Sequence, residues 1–145
     1  MIKIHKEVYG QGPAVVLIHG WAMHTGIWRE FARQLSQYYQ VTCLDLPGHG
    51  LSETVEPYDL KEISQALIKA MPENPSCVLG WSLGASVAIE LARQYPQRVN
   101  ALVLLAGNPH FIEEDTWAGV KQKILAEFAN NLQLNCQLTL IRFLA

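Results

Sequence analysis

Apolar and polar positions along the chain alternate between two rhythms. Ala14-Val15-Val16-Leu17-Ile18 is a continuous apolar run rich in β-branched residues, and Val41-Thr42-Cys43-Leu44-Asp45-Leu46, Cys77-Val78-Leu79 and Val99 to Ala106 are similar. Runs of this length and composition suit strands buried on both faces of a parallel sheet. Ile2 to Tyr9 instead alternates apolar with polar, as a half-exposed edge strand does. Between these runs the spacing turns helical. Trp28, Phe31, Leu35 and Tyr38 recur at intervals of three and four and predict a helix over about 26–39. Asp59 reads as the N-cap of a helix over 60–70, with Glu62 completing a capping box. From Ser82 to Tyr95 a further helix turns Val87, Leu91 and the alanines at 85, 88 and 92 toward the sheet, and Pro96 stops it. Strands alternating with helices imply an α/β fold with a mostly parallel sheet flanked by helices.

After Gly107-Asn108-Pro109 the pattern changes. From Glu113 the spacing predicts a helix with Trp117, Val120, Ile124 and Phe128 on one face, loosened or broken at Asn130-Asn131. Leu132 to Ala145 reads as the start of another helix with no terminating glycine. The expected organisation is therefore a partial α/β core over 1–109 and the beginning of a helical segment over 110–145.

Composition narrows the class. A chain of 145 residues has the length of one ordinary domain. With half its residues hydrophobic and 17% charged it belongs with globular proteins. A net charge of −2 gives no basic footprint for nucleic acid. Cys43, Cys77 and Cys136 are odd in number and widely spaced, which suggests neither disulfides nor zinc. Charges in Met1-Ile2-Lys3-Ile4-His5-Lys6-Glu7 occupy the place of a signal peptide's apolar core. The apolar run Ala101 to Ala106 is too short to span a bilayer. A cytoplasmic protein without membrane attachment is the expectation.

The chemistry centres on Gly80-Trp81-Ser82-Leu83-Gly84, which joins an apolar strand to a helix. In that setting a G-x-S-x-G pattern lifts a nucleophilic serine onto a tight, strained turn at a helix N-terminus. Glycines flank Ser82 because a Cβ at either place obstructs so sharp a turn. An oxyanion hole can be assembled from the Leu83 N–H and a second N–H after His19-Gly20, that of Trp21. His19 is read as holding that loop rather than as a base, and Asp45 as fixing the Pro47-Gly48-His49-Gly50 loop. A serine needs a base, and the base an acid to orient it. After Ser82 the only histidine is His110, and the only acid between them is Glu90, in mid-helix. So His110 is expected to lack an acidic partner, and no credible triad is found. A metal site from His19, His24, Asp45 and His49 has no recognised spacing, and Gly10 and Gly12 do not extend to a dinucleotide fingerprint. No cofactor and no metal are expected.

His19-Gly20-Trp21, Asp45-Leu46-Pro47-Gly48-His49-Gly50-Leu51-Ser52 and the Ser82 pentapeptide together resemble the α/β-hydrolase superfamily. Within it, Leu17-Ile18-His19-Gly20-Trp21, Trp117-Ala118-Gly119-Val120-Lys121 and the terminal Arg142-Phe143-Leu144-Ala145 resemble the methyl ester esterases of biotin synthesis, whose substrate is pimeloyl-[acyl-carrier protein] methyl ester. The resemblance covers a little over the first half of such an enzyme. It implies that Ser82 is acylated by the pimeloyl ester and that methanol leaves. It further implies that Trp21, Leu83 and Phe143 line the acyl pocket beside Ser82, and that Arg142 meets the acidic carrier protein. Leu138 stands one turn before Arg142, where a second basic residue is expected. The family's triad aspartate and histidine belong to later strands. A general short-chain esterase or lactonase of the same fold, and a non-catalytic fragment, are the alternative readings. The oligomeric state stays open.

Overall fold

The computed structural model describes residues 2–144. Met1 and Ala145, the latter closing the helix expected from Leu132, lie outside the described residues. The chain divides into two compact units, Met1–Asn108 and Pro109–Ala145.

The first unit is built on a five-stranded sheet of order β1-β3-β2-β4-β5. Its strands are β1 (Lys6–Tyr9), β2 (Ala14–Ile18), β3 (Gln40–Leu44), β4 (Ser76–Trp81) and β5 (Val99–Leu105). β1 runs antiparallel to β3, and the other pairings are parallel. Three helices connect the parallel strands: α1 (Arg29–Leu35), α2 (Leu60–Leu67) and α3 (Leu83–Gln94). β2 lies at the centre and is buried on both faces, which is why its sequence is continuously apolar. Alternation along the strand divides its side chains between two cores. Val16 and Ile18 join Leu44, Ile63, Leu67, Val78, Val87 and Leu91 in one. Val15 and Leu17 join Trp28, Ala32, Val41 and Cys43 in the other. Burial there pushes the Cys43 thiol up to about 12, so it is an inert apolar group.

Local expectations needed correction at several places. The edge strand begins at Lys6 rather than Ile2. The helix foreseen over 26–39 is a 3₁₀ turn, Thr25–Trp28, followed by α1, which ends at Leu35. The tighter first turn shifts the buried stripe to Trp28, Ala32 and Leu35. Phe31 is left 40% exposed and Tyr38, beyond the helix, 71%. Asp59 does cap α2, accepting from the Glu62 N–H at 2.9 Å, but its own N–H donates to the Pro57 carbonyl, so only half of the capping box forms.

In the second unit the helix expected from Glu113 starts only at Gln122. Before it the chain doubles back, with Glu114 and Trp117 exchanging backbone hydrogen bonds at 3.0 Å and Ile112 bridging Val120. Gly119 permits this turn, since a Cβ there would lie 2.7 Å from the Glu113 nitrogen. α4 (Gln122–Leu134) runs unbroken through Asn130-Asn131. The break comes instead at Asn135, whose side chain accepts from the Leu138 N–H at 3.0 Å and so caps α5 (Cys136–Leu144).

Candidate active site

β4 delivers Ser82 to the carboxyl end of the sheet, between the strand and the first residue of α3. Ser82 has φ 54° and ψ −115°, a conformation that a residue with a Cβ adopts only where its surroundings hold it. They do so on both sides. A Cβ on Gly80 would stand 2.1 Å from the Gly84 carbonyl oxygen. One on Gly84 would stand 2.4 Å from that of Ile18. The two glycines therefore let β4, α3 and the end of β2 close on one another around the serine. The Ser82 N–H donates to the Leu105 carbonyl at 3.0 Å, and its side chain makes no capping bond to the helix. The hydroxyl sits at the positive end of the α3 dipole.

The loop after β2 lies directly beside this turn. A Cβ on Gly20 would come 3.3 Å from the Ser82 Cβ and from Cε3 and the carbonyl oxygen of Trp81. From there the chain reverses through Trp21 and Ala22, the latter at φ 60°, with Met23 N–H donating to the Gly20 carbonyl at 3.3 Å. Ser82, Leu83 and the Gly20-Trp21 turn are thus gathered at one place.

His19 is fully buried, with both ring nitrogens engaged. Nδ1 lies 2.7 Å from the Gly20 carbonyl, which can only accept, so Nδ1 carries the proton and donates. Nε2 accepts from the Leu46 N–H at 3.0 Å. Burial holds the ring pKa down at about 4, in the neutral form these two bonds need. With no free lone pair, His19 cannot take the Ser82 proton.

Asp45, 1% exposed, accepts from the Thr25 N–H at 2.6 Å and the Leu51 N–H at 3.0 Å, and its backbone carbonyl accepts from the Ser52 hydroxyl. A Cβ on Gly50 would stand 2.0 Å from Asp45 Oδ2, so this glycine is required for the carboxylate to sit where it does. The Tyr58 hydroxyl donates to the Pro47 carbonyl at 3.1 Å and supports the same loop. The roles of Thr25 and Leu51 rest on main-chain N–H groups and leave no mark on the sequence. Tyr58 had only its closeness to that loop to signal it.

Glu90 is committed on the flank of α3, where hydrogen bonds from Arg93, and then from Gln94, hold its carboxyl at about 2. His110, expected to lack an acidic partner, has one four residues on. Its Nε2 is 3.1 Å from Glu114 Oε1, in an exposed pair within the second unit. In that unit Arg142 and Phe143 line an open groove of about 330 Å³ between α4 and α5, together with Phe128, Asn131, Leu134 and Leu138. The Phe128 and Phe143 rings are 5.3 Å apart. Among the described residues no group of three or more His, Cys, Asp and Glu is placed to hold a metal ion. No helix of the described residues is long and apolar enough to cross a membrane.

Comparison with known proteins matches residues 13–144 to the family described as alpha/beta hydrolase fold. The chain is 44% identical over 139 residues to a pimeloyl-[acyl-carrier protein] methyl ester esterase of Methylococcus capsulatus, covering 96% of this chain and 54% of that protein. It is 42% identical to the protein of the same name in Pseudoalteromonas atlantica, over 94% of this chain and 53% of the relative. Among solved structures, an esterase from Exiguobacterium antarcticum superposes with a TM-score of 0.88 at 22% identity, over 98% of this chain and 56% of that one. The chain therefore spans about half the length of the relatives it matches.

Proposed function

The chain belongs to the α/β-hydrolase fold family, and on that premise we propose that it carries the nucleophile half of a serine carboxylester hydrolase. In this reading the Ser82 oxygen bonds to the ester carbonyl carbon while a base takes its proton. The methoxide–carbon bond then breaks and methanol leaves with that proton. Water hydrolyses the acyl-serine, returning the free acid and Ser82. The N–H groups of Leu83 and Trp21 receive the oxyanion that develops at each step, a contribution of about 10²–10³ in rate per donor. Residues 1–109 act as the partial core and 110–145 as the beginning of the helical cap. The base and its acid come from the further half of the enzyme.

The substrate we favour is pimeloyl-[acyl-carrier protein] methyl ester, by likeness to relatives at 44% and 42% identity. Trp21 and Leu83 then contact the acyl chain, and Arg142 offers a positive charge to the acidic carrier protein. The enzyme works in the cytoplasm, needs no cofactor, and binds neither nucleic acid nor membrane.

The observation that supports the reading most is the Ser82 backbone at φ 54°, closed in by Gly80 and Gly84 and lying beside Gly20. The test joins residues 1–145 to the C-terminal remainder of the Methylococcus capsulatus relative and compares Ser82→Ala with the parent fusion. Hydrolysis of the carrier-bound methyl ester is expected to fall at least 10²-fold, with the fold unchanged by circular dichroism. A variant keeping more than about a hundredth of the parent rate removes Ser82 from the role. A faster turnover of small esters or lactones than of the carrier-bound ester would replace the substrate assignment alone.

A further inference from the structure

Between His19 and Thr25 the chain forms the loop that carries Trp21, and both ends of that loop are tied to adjacent residues following β3. At the first end the Leu46 N–H donates to His19 Nε2 at 3.0 Å. At the other the Thr25 N–H donates to Asp45 Oδ1 at 2.6 Å. The second carboxylate oxygen, Oδ2, accepts from the Leu51 N–H at 3.0 Å, in the separate loop over 47–52. One buried carboxylate thus spans two loops that are 26 residues apart at the atoms it holds. Both bonds go to one buried carboxylate, and the Thr25 bond is itself buried, where such bonds are strongest, while the Leu51 bond is part-buried.

We infer that Asp45 is a positioning residue for the oxyanion loop, fixing the Trp21 N–H against Ser82 through Thr25, and does not merely order the loop that follows it. This rests on the reading of Trp21 as an oxyanion donor. Charge is needed because both bonds come from N–H donors, so the side chain must offer two acceptor oxygens and no donor. Aspartate alone among side chains of this length does so. Asparagine would turn an NH₂ toward one of the two N–H groups. Glutamate is a methylene too long for a site in which Gly50 has already surrendered its Cβ to make room. The pairing of Thr25 with Leu51 also couples the loops, because displacement of either N–H leaves the shared carboxylate with an unbalanced buried charge.

The test is amide hydrogen exchange by mass spectrometry on the 145-residue chain, parent against Asp45→Ala. Peptides covering 19–28 and 46–54 are both expected to exchange roughly tenfold to a hundredfold faster, the loss of a hydrogen bond to a charged acceptor. Peptides from β2 and β4 should not change. Faster exchange in 46–54 with 19–28 unaltered overturns the inference. If Asp45→Ala does not fold, Asp45→Asn is read instead: faster exchange in 19–28 is expected, and 19–28 unaltered, whatever 46–54 does, overturns the inference. In the fused enzyme Asp45→Asn is expected to lower kcat about 10²-fold, the effect of a donor misplaced by an ångström, with KM within about threefold. A raised KM at constant kcat would assign Asp45 to substrate binding and reject positioning. Because exchange is read on the chain itself, it judges the tether even if Ser82 proves unreactive.

Discussion

One edge of the sheet, β1, carries Lys6 and Glu7, with Glu7 held by the Arg29 guanidinium at 2.9 Å and by the Tyr9 hydroxyl. The opposite edge, β5, carries Asn100 and otherwise only aliphatic side chains. Leu102 to Leu105 are each between 39% and 50% exposed there. Charges along an edge discourage pairing with another chain, and a long uncharged apolar edge invites it. β1 is built to end a sheet. β5 has the composition of an interior strand and stands at an edge. The difference teaches how each flank meets solvent: the β1–β3–β2 flank ends in paired charges, the β4–β5 flank in exposed aliphatic side chains.

The largest effect should come from that surface. The purified chain is expected to elute as dimers or larger species in a concentration-dependent way and to bind a hydrophobic dye. Val103→Lys, which places a charge in mid-strand, should move the elution to the monomer volume. Val8→Lys on β1, already 50% exposed beside charged neighbours, should leave it where it was. A sharp monomer peak for the parent, or equal effects of the two lysines, would erase the contrast between the edges.

The parallel strands were legible in sequence on both flanks. Strands β2, β3, β4 and β5 and the turn at Ser82 follow from apolar runs and flanking glycines. Periodicity misled where local geometry departs from an ideal helix. The 3₁₀ turn over Thr25–Trp28 rotates the stripe off Phe31, and Gly119 converts the expected helix from Glu113 into a turn. For the site, Ser82, Gly80 and Gly84 could be read from types and spacing. His19 and Asp45 were readable as loop supports. What could not be read is that His19 also reaches Leu46 and Asp45 also reaches Thr25, since those partners are main-chain groups common to every residue.

The second expected effect sharpens the other side of the comparison. His19 is neutral in the fold with its pKa lowered from 6.5 to about 4 by burial. The unfolded chain therefore binds more protons between those values, and stability present above pH 6.5 is lost as pH falls through 4. For a buried ring with a shift of this size the loss is on the order of 3 kcal/mol. Urea unfolding of the parent at steps from pH 7 to pH 4 should show it. His19→Phe, which fills the site without a titrating group, should be less stable at pH 7 and lack that slope. A parent curve no steeper than the variant's in this window would mean that the ring is not held neutral by the fold.

Glu7 should give the smallest effect, in a different window. Its carboxyl is held at about 2, below the usual 4.5, first by the hydrogen bond from Arg29 and then by that from Tyr9. A depressed carboxylate contributes stability above its unfolded pKa and loses it as pH falls from 4.5 toward 2, a range that the His19 transition overlaps at its upper end, near pH 4. The partner guanidinium lies in solvent, so the interaction is screened and the full shift does not appear as stability. Glu7→Gln is therefore expected to cost no more than about 1 kcal/mol at pH 7 and low salt, and less at 1 M salt, where the screening length falls to about 3 Å. The parent and variant curves should converge as pH approaches 2. The same variant should not associate more than the parent, because Lys6 still guards the edge and β1 keeps its pairing with β3. A loss above about 2 kcal/mol, insensitive to salt, would show that the pair anchors β1 to the sheet. The β1 edge would then owe its finish to this one contact rather than to solvated charge, and its contrast with β5 would be one of anchoring.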